Sequence, residues 1–274
     1  MMLPSHQPQL FLSLSILLST TSIVRASNSF IYASCFPSQY PSNTPFQSNL
    51  QSLLSSLANS ATSSSYNSFA FGNSSSAYGL YQCRHDLSAA ECSSCVQSAV
   101  GQVLLVCPEG YAAALQLDGC LVRYSKDDFL GKLDTSVAYK RCSSELGGGD
   151  GGEFLRRRDD VLDDLGSGEG FKVSSSGKVQ GFAECVGDLS PGDCATCLAQ
   201  AVGQLKSMCG ASLAADLFLE QCYARFWASG YYPRAAAAAD YTDDDIGRTV
   251  AIIVGILAGV ALLVVFISFV KRAC

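Results

Sequence analysis

The chain has 274 residues, 13 cysteines and a formal net charge of −6. Its length suits about two domains. The acidic balance, with no basic stripe to neutralise phosphates, excludes nucleic acid as a partner.

In chain order, Leu10 to Leu18 is apolar apart from serine, and Val24-Arg25-Ala26 forms a small-residue cleavage pattern, so residues 1–26 read as a signal peptide. A first cysteine-rich domain occupies 27–133. Phe46, Leu50, Leu53, Leu54, Leu57 and Ala61 recur at helical spacing and predict an amphipathic helix. A serine-rich loop follows. It carries the sequon Asn73-Ser74-Ser75, an N-glycosylation candidate. Ser88-Ala89-Ala90-Glu91 is a capping box that opens a second helix. On that helix Cys92 and Cys95 share a face with Ala99 and Val103. Leu115 and Leu117, alternating with Gln116 and Asp118, predict a strand.

A second such domain occupies 134–233. Phe154, Leu155, Val161, Leu162 and Leu165 give a weaker first helix. Within it, Arg156-Arg157-Arg158 followed by Asp159-Asp160 reads as a solvated face. Ser190-Pro191-Gly192-Asp193 opens its second helix with proline at the first helical position. There Cys194 and Cys197 share a face with Ala201 and Leu205. Leu217 and Leu219 alternate with Phe218 and Glu220 as a strand.

Residues 234–248 read as a stalk. Thr249 to Val270 is 22 residues without a charge. At ~1.5 Å per residue this stretch reaches across a ~30 Å hydrocarbon core. Lys271 and Arg272 follow it, giving a type I topology with residues 271–274 in the cytosol. Within the span, Ala251, Gly255 and Gly259 place small residues four apart, a candidate helix-association face for like or unlike chains. Cys274 is a candidate for S-acylation.

The organising feature is a repeat. Cys83, Cys92, Cys95, Cys107 and Cys120 run C-x8-C-x2-C-x11-C-x12-C. Cys185, Cys194, Cys197, Cys209 and Cys222 repeat every gap at an offset of 102 residues. Other identities keep the offset: Asp86-Leu87-Ser88 with Asp188-Leu189-Ser190, and Arg123 with Arg225. Cys35 and Cys142 complete two sets of six, leaving only Cys274. An even count outside the membrane and one thiol inside is disulfide arithmetic, although six cysteines allow 15 pairings. A zinc site from the paired C-x2-C would expose thiols to an oxidising compartment, so no metal is expected. The elements predict an α+β fold: two tandem modules, each an antiparallel sheet packed by two helices and stapled by three disulfides, plus one C-terminal membrane helix.

No catalytic chemistry is legible. His6 lies in the leader, and His85 beside Cys83 reads as a loop residue. Asp127-Asp128 and Asp163-Asp164 read as surface charge. No nucleophile elbow, metalloprotease motif or P-loop is present. The chain therefore reads as a binding or signalling protein without a cofactor.

The doubled C-x8-C-x2-C signature with a single span and a minimal tail resembles the plasmodesmata-located protein family of plants, whose modules are ginkbilobin-type. The resemblance covers about residues 28–228 and the span. It implies residence at plasmodesmata and control of cell-to-cell traffic, partly through callose deposition. It also implies the bridges Cys35–Cys107, Cys83–Cys92 and Cys95–Cys120, then Cys142–Cys209, Cys185–Cys194 and Cys197–Cys222. The antifungal relative grips mannose with Asn, Arg and Glu at positions that here hold Phe36, Ala114 and Ser125, then Ser143, Asp216 and Trp227. The donor fork and carboxylate are missing, so mannose binding is not expected. The remaining partners are the membrane and a cell-wall glycan or protein. The other reading is a cell-surface carbohydrate-binding or defence module without plasmodesmal residence.

Overall fold

The computed structural model describes residues 28–73, 75–147 and 152–231. The leader, the stalk, the apolar stretch Thr249–Val270, its small-residue face and Cys274 lie outside the described residues. Among the described residues, no helix is long and apolar enough to cross a membrane.

The first module runs β1 (Phe30–Cys35), α1 (Pro45–Ser60), β2 (Tyr66–Phe71), β3 (Ala77–Cys83), α2 (Ala89–Val106), β4 (Ala112–Leu117) and β5 (Cys120–Ser125). The second repeats it as β6 (Val137–Cys142), α3 (Glu153–Gly166), β7 (Lys172–Ser176), β8 (Val179–Cys185), α4 (Pro191–Cys209), β9 (Ala214–Leu219) and β10 (Cys222–Ala228). Each module is one five-stranded antiparallel sheet, ordered β1-β4-β5-β3-β2 and β6-β9-β10-β8-β7. The two-residue links of the hairpins β4–β5 and β9–β10 keep those consecutive strands adjacent within each sheet.

Sequence signals place the helices. Thr44 accepts from the Gln47 amide ahead of Pro45, and the predicted stripe Phe46, Leu50, Leu53, Leu54 and Leu57 is the buried face of α1. Ser88 and Glu91 form the full capping box on α2. In α4 only half of it survives, Ser190 accepting from the Asp193 amide.

The cysteine spacing follows from geometry. Cys83 and Cys120 are direct cross-strand partners on β3 and β5. Cys92 and Cys95 lie one turn apart on the buried face of α2, as residues three apart on a helix must. Each therefore reaches one strand of the pair, as Cys83–Cys92 and Cys95–Cys120. The second module repeats this with Cys185–Cys194 and Cys197–Cys222 beneath the pair Cys222↔Cys185. Cys35–Cys107 and Cys142–Cys209 tie the outer strands to the helix ends.

One reading needs correction. The arginine run in α3 is not wholly a solvated face. Arg156 is exposed and Arg157 half-buried, but Arg158 turns inward, 7% exposed. It donates to the Gly210 carbonyl at the end of α4 and to Asp159 at 2.7 Å. A cation there satisfies a helix-end carbonyl. The paired aspartates do stand on the surface, Asp163 and Asp164 meeting Lys206 and Lys172.

Candidate functional site

Helices cover one face of each sheet; the other faces meet each other. The two modules fall in a single compact unit. Leu80, Ala114 and Leu121 pack on Val186 of the second module, and Ile31 and Tyr32 pack on Phe218. The alternation that predicted β4 and β9 therefore has both sides buried: Gln116 and Phe218, on the side away from the helices, are as inaccessible as the leucines. No periodicity announces such a joint, because its sheet faces are polar and apolar by turns.

The contacts reciprocate, as in an isologous dimer, where residue i meets j and j meets i. Arg123 pairs with Glu220 at 3.1 Å, and Arg225 pairs with Asp118 at 2.8 Å. Under the repeat offset of 102, Arg123 corresponds to Arg225 and Asp118 to Glu220. Gln82 donates to its own counterpart, Glu184, at 3.3 Å. Tyr32 stacks on its counterpart Tyr139 with ring centres 5.3 Å apart. The duplicated chain has thus folded into an internal pseudo-dimer.

Its centre is ionic and buried. Arg225, 2% exposed, also pairs with Asp216 at 2.7 Å. Burial works against its cation, but Asp216 and Asp118 outweigh it and hold Arg225 above the ordinary arginine range. Arg84 meets Asp86 at 2.6 Å and Asp118 at 2.8 Å. Glu184 accepts from the Tyr223 hydroxyl at 2.8 Å, and burial chiefly pushes its carboxyl up to about 7. Burial likewise raises Glu220, with Arg123 pulling the other way. A cavity of about 20 Å³ beside Gln82, Glu184 and Tyr223 holds room for about one water and no substrate.

Beside the joint, the first module carries an open groove of about 270 Å³. Phe36, Ala114 and Ser125 line it together, with Tyr111, Lys126 and Glu220. The three positions matched to the mannose grip are thus brought to one place. Phe36 is 46% exposed. Lys126 sits over the Tyr111 ring at 5.1 Å, and Arg123 is drawn over Phe129 at 4.4 Å. Such a groove offers an aromatic face and an ammonium, with Asp127 and Glu220 also on its wall.

At the matching positions of the second copy the described residues leave little space. Ser143 and Asp216 border a space of only about 10 Å³. Asp216 is taken by Arg225, Ser143 bonds the Glu145 carbonyl and the Ala214 amide, and Trp227 packs edge-on against Phe182. His85 stacks on Phe171, a loop contact across the joint. Asn73 is exposed near the start of the β2–β3 loop. Among the described residues, no group of three or more His, Cys, Asp or Glu could hold a metal ion.

The model of the salt stress response/antifungal family matches residues 34–127 and 141–229, the two modules just described. Plasmodesmata-located protein 8 of Arabidopsis thaliana is 50% identical over 256 residues, covering 90% of each chain. The chain belongs to the plasmodesmata-located protein family. Plasmodesmata-located protein 6 of the same plant is 42% identical, covering 97% of this chain and 95% of its own. The crystal structure of the tandem DUF26 ectodomain of the Arabidopsis thaliana cysteine-rich receptor-like protein PDLP8 superposes with a TM-score of 0.73 at 55% identity. It covers 74% of this chain and 100% of that one. The fold of the family is two modules of five strands, two helices and three disulfides, as found here.

Proposed function

We propose that this chain is a type I membrane protein of plasmodesmata that regulates cell-to-cell traffic, through callose deposition, by interactions of its paired ectodomain and its span. The observation that carries the reading is 50% identity over nine-tenths of a plasmodesmata-located relative. A pseudo-dimer without a substrate-sized cleft at its centre suits a scaffold that presents surface to partners.

The span Thr249–Val270 supplies the membrane anchor, with Ala251, Gly255 and Gly259 as its association face and Cys274 as its acylation site. The exposure of Asn73 suits glycosylation of its sequon. A fluorescent fusion tests the placement: puncta coincident with callose support it, and an even plasma-membrane outline refutes it. Movement of a small dye between cells, with and without the protein, tests the regulation.

The open groove of the first module favours one second reading, a cell-surface carbohydrate-binding module. Binding of the ectodomain on a glycan array, lost in Phe36→Ala, would support it.

A further inference from the structure

We infer that the joint between the modules is a proton-controlled clamp, in which Glu184 uncharged holds β8 of the second module against β3 of the first, and Glu184 ionised loosens that contact. The inference does not depend on where in the cell the chain resides.

The position of Glu184 carries it. The side chain is 3% exposed and lies where the repeat meets itself. One carboxyl oxygen accepts from Gln82 across the joint at 3.3 Å, the other from Tyr223 of the adjoining strand at 2.8 Å. Gln82 in turn accepts from the Gly187 amide at 3.0 Å. The link therefore ties β3 to β8 and to the turn that follows it.

Charge counting does the rest. From the segment after β3, Arg84, Asp86 and the His85 amide act on Glu184, and from β10 Tyr223 does; Asp118 of the β4–β5 turn lines the same small cavity, and Arg225, two residues along β10 from Tyr223, pairs with Asp216 of β9. The two cations are both engaged twice, Arg84 by Asp86 and Asp118, Arg225 by Asp118 and Asp216. Three carboxylates already neutralise two guanidiniums. Among the described residues, no cation forms an ion pair with Glu184, so its ionised form adds an uncompensated charge to a buried site. The counterpart position supplies an internal control: Gln82, a neutral amide of the same length, occupies it in the first module.

Burial, with Asp86 adding to it, pushes the Glu184 carboxyl up to about 7, while Tyr223, Arg84 and the His85 amide act in the opposite direction. The folded form thus takes up a proton that the unfolded chain, near the ordinary ~4.3, releases. Stabilisation is complete below the unfolded value and is lost as pH rises through about 7. Acid closes the clamp, and neutral to alkaline conditions open it.

The test is thermal unfolding of the full chain in detergent micelles between pH 5.0 and 7.5. The wild type is expected to lose roughly 5 °C in Tm across that window. Glu184→Gln is expected to lose most of that slope, leaving only the smaller part that the buried Glu220, itself raised, contributes in the same direction. Asp86→Asn, which removes a facing charge and frees Arg84, should move the transition to lower pH. His85→Gln should leave it in place. The same pH slope in Glu184→Gln as in the wild type would overturn the clamp, as would loss of the slope in His85→Gln alone. If Glu184→Gln does not fold, hydrogen exchange of the wild type decides. After correction for intrinsic rates, peptides of β3 and β8 should lose protection at pH 7.5 while α1 and α3 do not. Unchanged or uniform protection would overturn it.

Discussion

Arg225 meets Asp118 at 2.8 Å across the joint, and its counterpart Arg123 meets Glu220 at 3.1 Å in the opposite sense. The two pairs share ancestry but not environment. Arg225 is 3% exposed at its side chain and Arg123 is 16% exposed. Arg225 also neutralises Asp216, whereas Arg123 rests on the Phe129 ring. Repeat symmetry has been kept in the contacts and broken in the energetics.

The first prediction uses that asymmetry. Arg225→Ala leaves Asp118 and Asp216 buried beside each other with one cation gone, which costs roughly 3–5 kcal/mol. Arg123→Ala leaves one less-buried carboxylate, Glu220, which protonates more readily than two, and costs less. Urea denaturation of both variants measures the gap. Equal losses would contradict the assignment of Arg225 as the centre of the joint.

The joint also marks the limit of what the sequence discloses. The cysteine gaps, the stripe on α1 and the capping box on α2 are short-range signals, and each sits in the fold where its spacing puts it. The joint is long-range: its partners lie about a hundred residues apart, and Gln82, Glu184, Asp118 and Arg225 look like ordinary surface residues. The one available signal was the identity of Arg123 and Arg225 at the repeat offset. Arg158 misled for the same reason, since a guanidinium turned inward to cap a carbonyl is written like one facing water. The groove was legible only as three positions matched to a relative, and its closure in the second copy follows from Asp216 being bound to Arg225.

The second prediction concerns helix capping. Ser88 accepts from the Glu91 amide, and Glu91 returns a bond to the Ser88 amide at 2.9 Å. Glu91 is held below the ordinary carboxylate range chiefly by its bond from the Ser88 hydroxyl. Ser88→Ala removes one half of that exchange and should lower stability by about 1 kcal/mol. Ser190→Ala should cost no more, because Asp193 makes no matching return bond to the backbone. Denaturation midpoints at pH 7 compare the two.

The third prediction tests how closely the helices approach the sheets. Gly79 and Gly181 are repeat counterparts facing the first helix of each module. A β-carbon on Gly181 would lie 2.5 Å from the Arg225 carbonyl oxygen and 3.1 Å from Val161 and Leu165. On Gly79 it would lie 2.8 Å from Leu53 and 3.0 Å from the Arg123 carbonyl oxygen. The nearest obstacle is backbone in one case and a leucine methyl in the other. Gly181→Ala should therefore cost roughly 1–3 kcal/mol by overpacking, and Gly79→Ala less. A neutral Gly181→Ala would mean that β8 and β10 can separate without penalty.

The fourth prediction separates the bridges by loop length. Cys35–Cys107 closes a separation of 72 residues, while Cys83–Cys92 closes 9. In the chain-entropy description, a crosslink restrains the unfolded chain more the longer its loop. The logarithm of an eightfold length ratio corresponds to about 2 kcal/mol at 25 °C. Replacing Cys35 and Cys107 by alanine should therefore destabilise the first module more than replacing Cys83 and Cys92. Burial opposes the trend, because Cys83 and Cys92 are both inaccessible and their loss leaves a void under α2. Of the long bridge, Cys35 is exposed and leaves none, while Cys107 is buried, so that bridge leaves a void at one end only. Unfolding of the two double variants under non-reducing conditions therefore decides whether loop entropy or core packing dominates. A larger loss from the short bridge would assign its main role to packing α2 against the sheet.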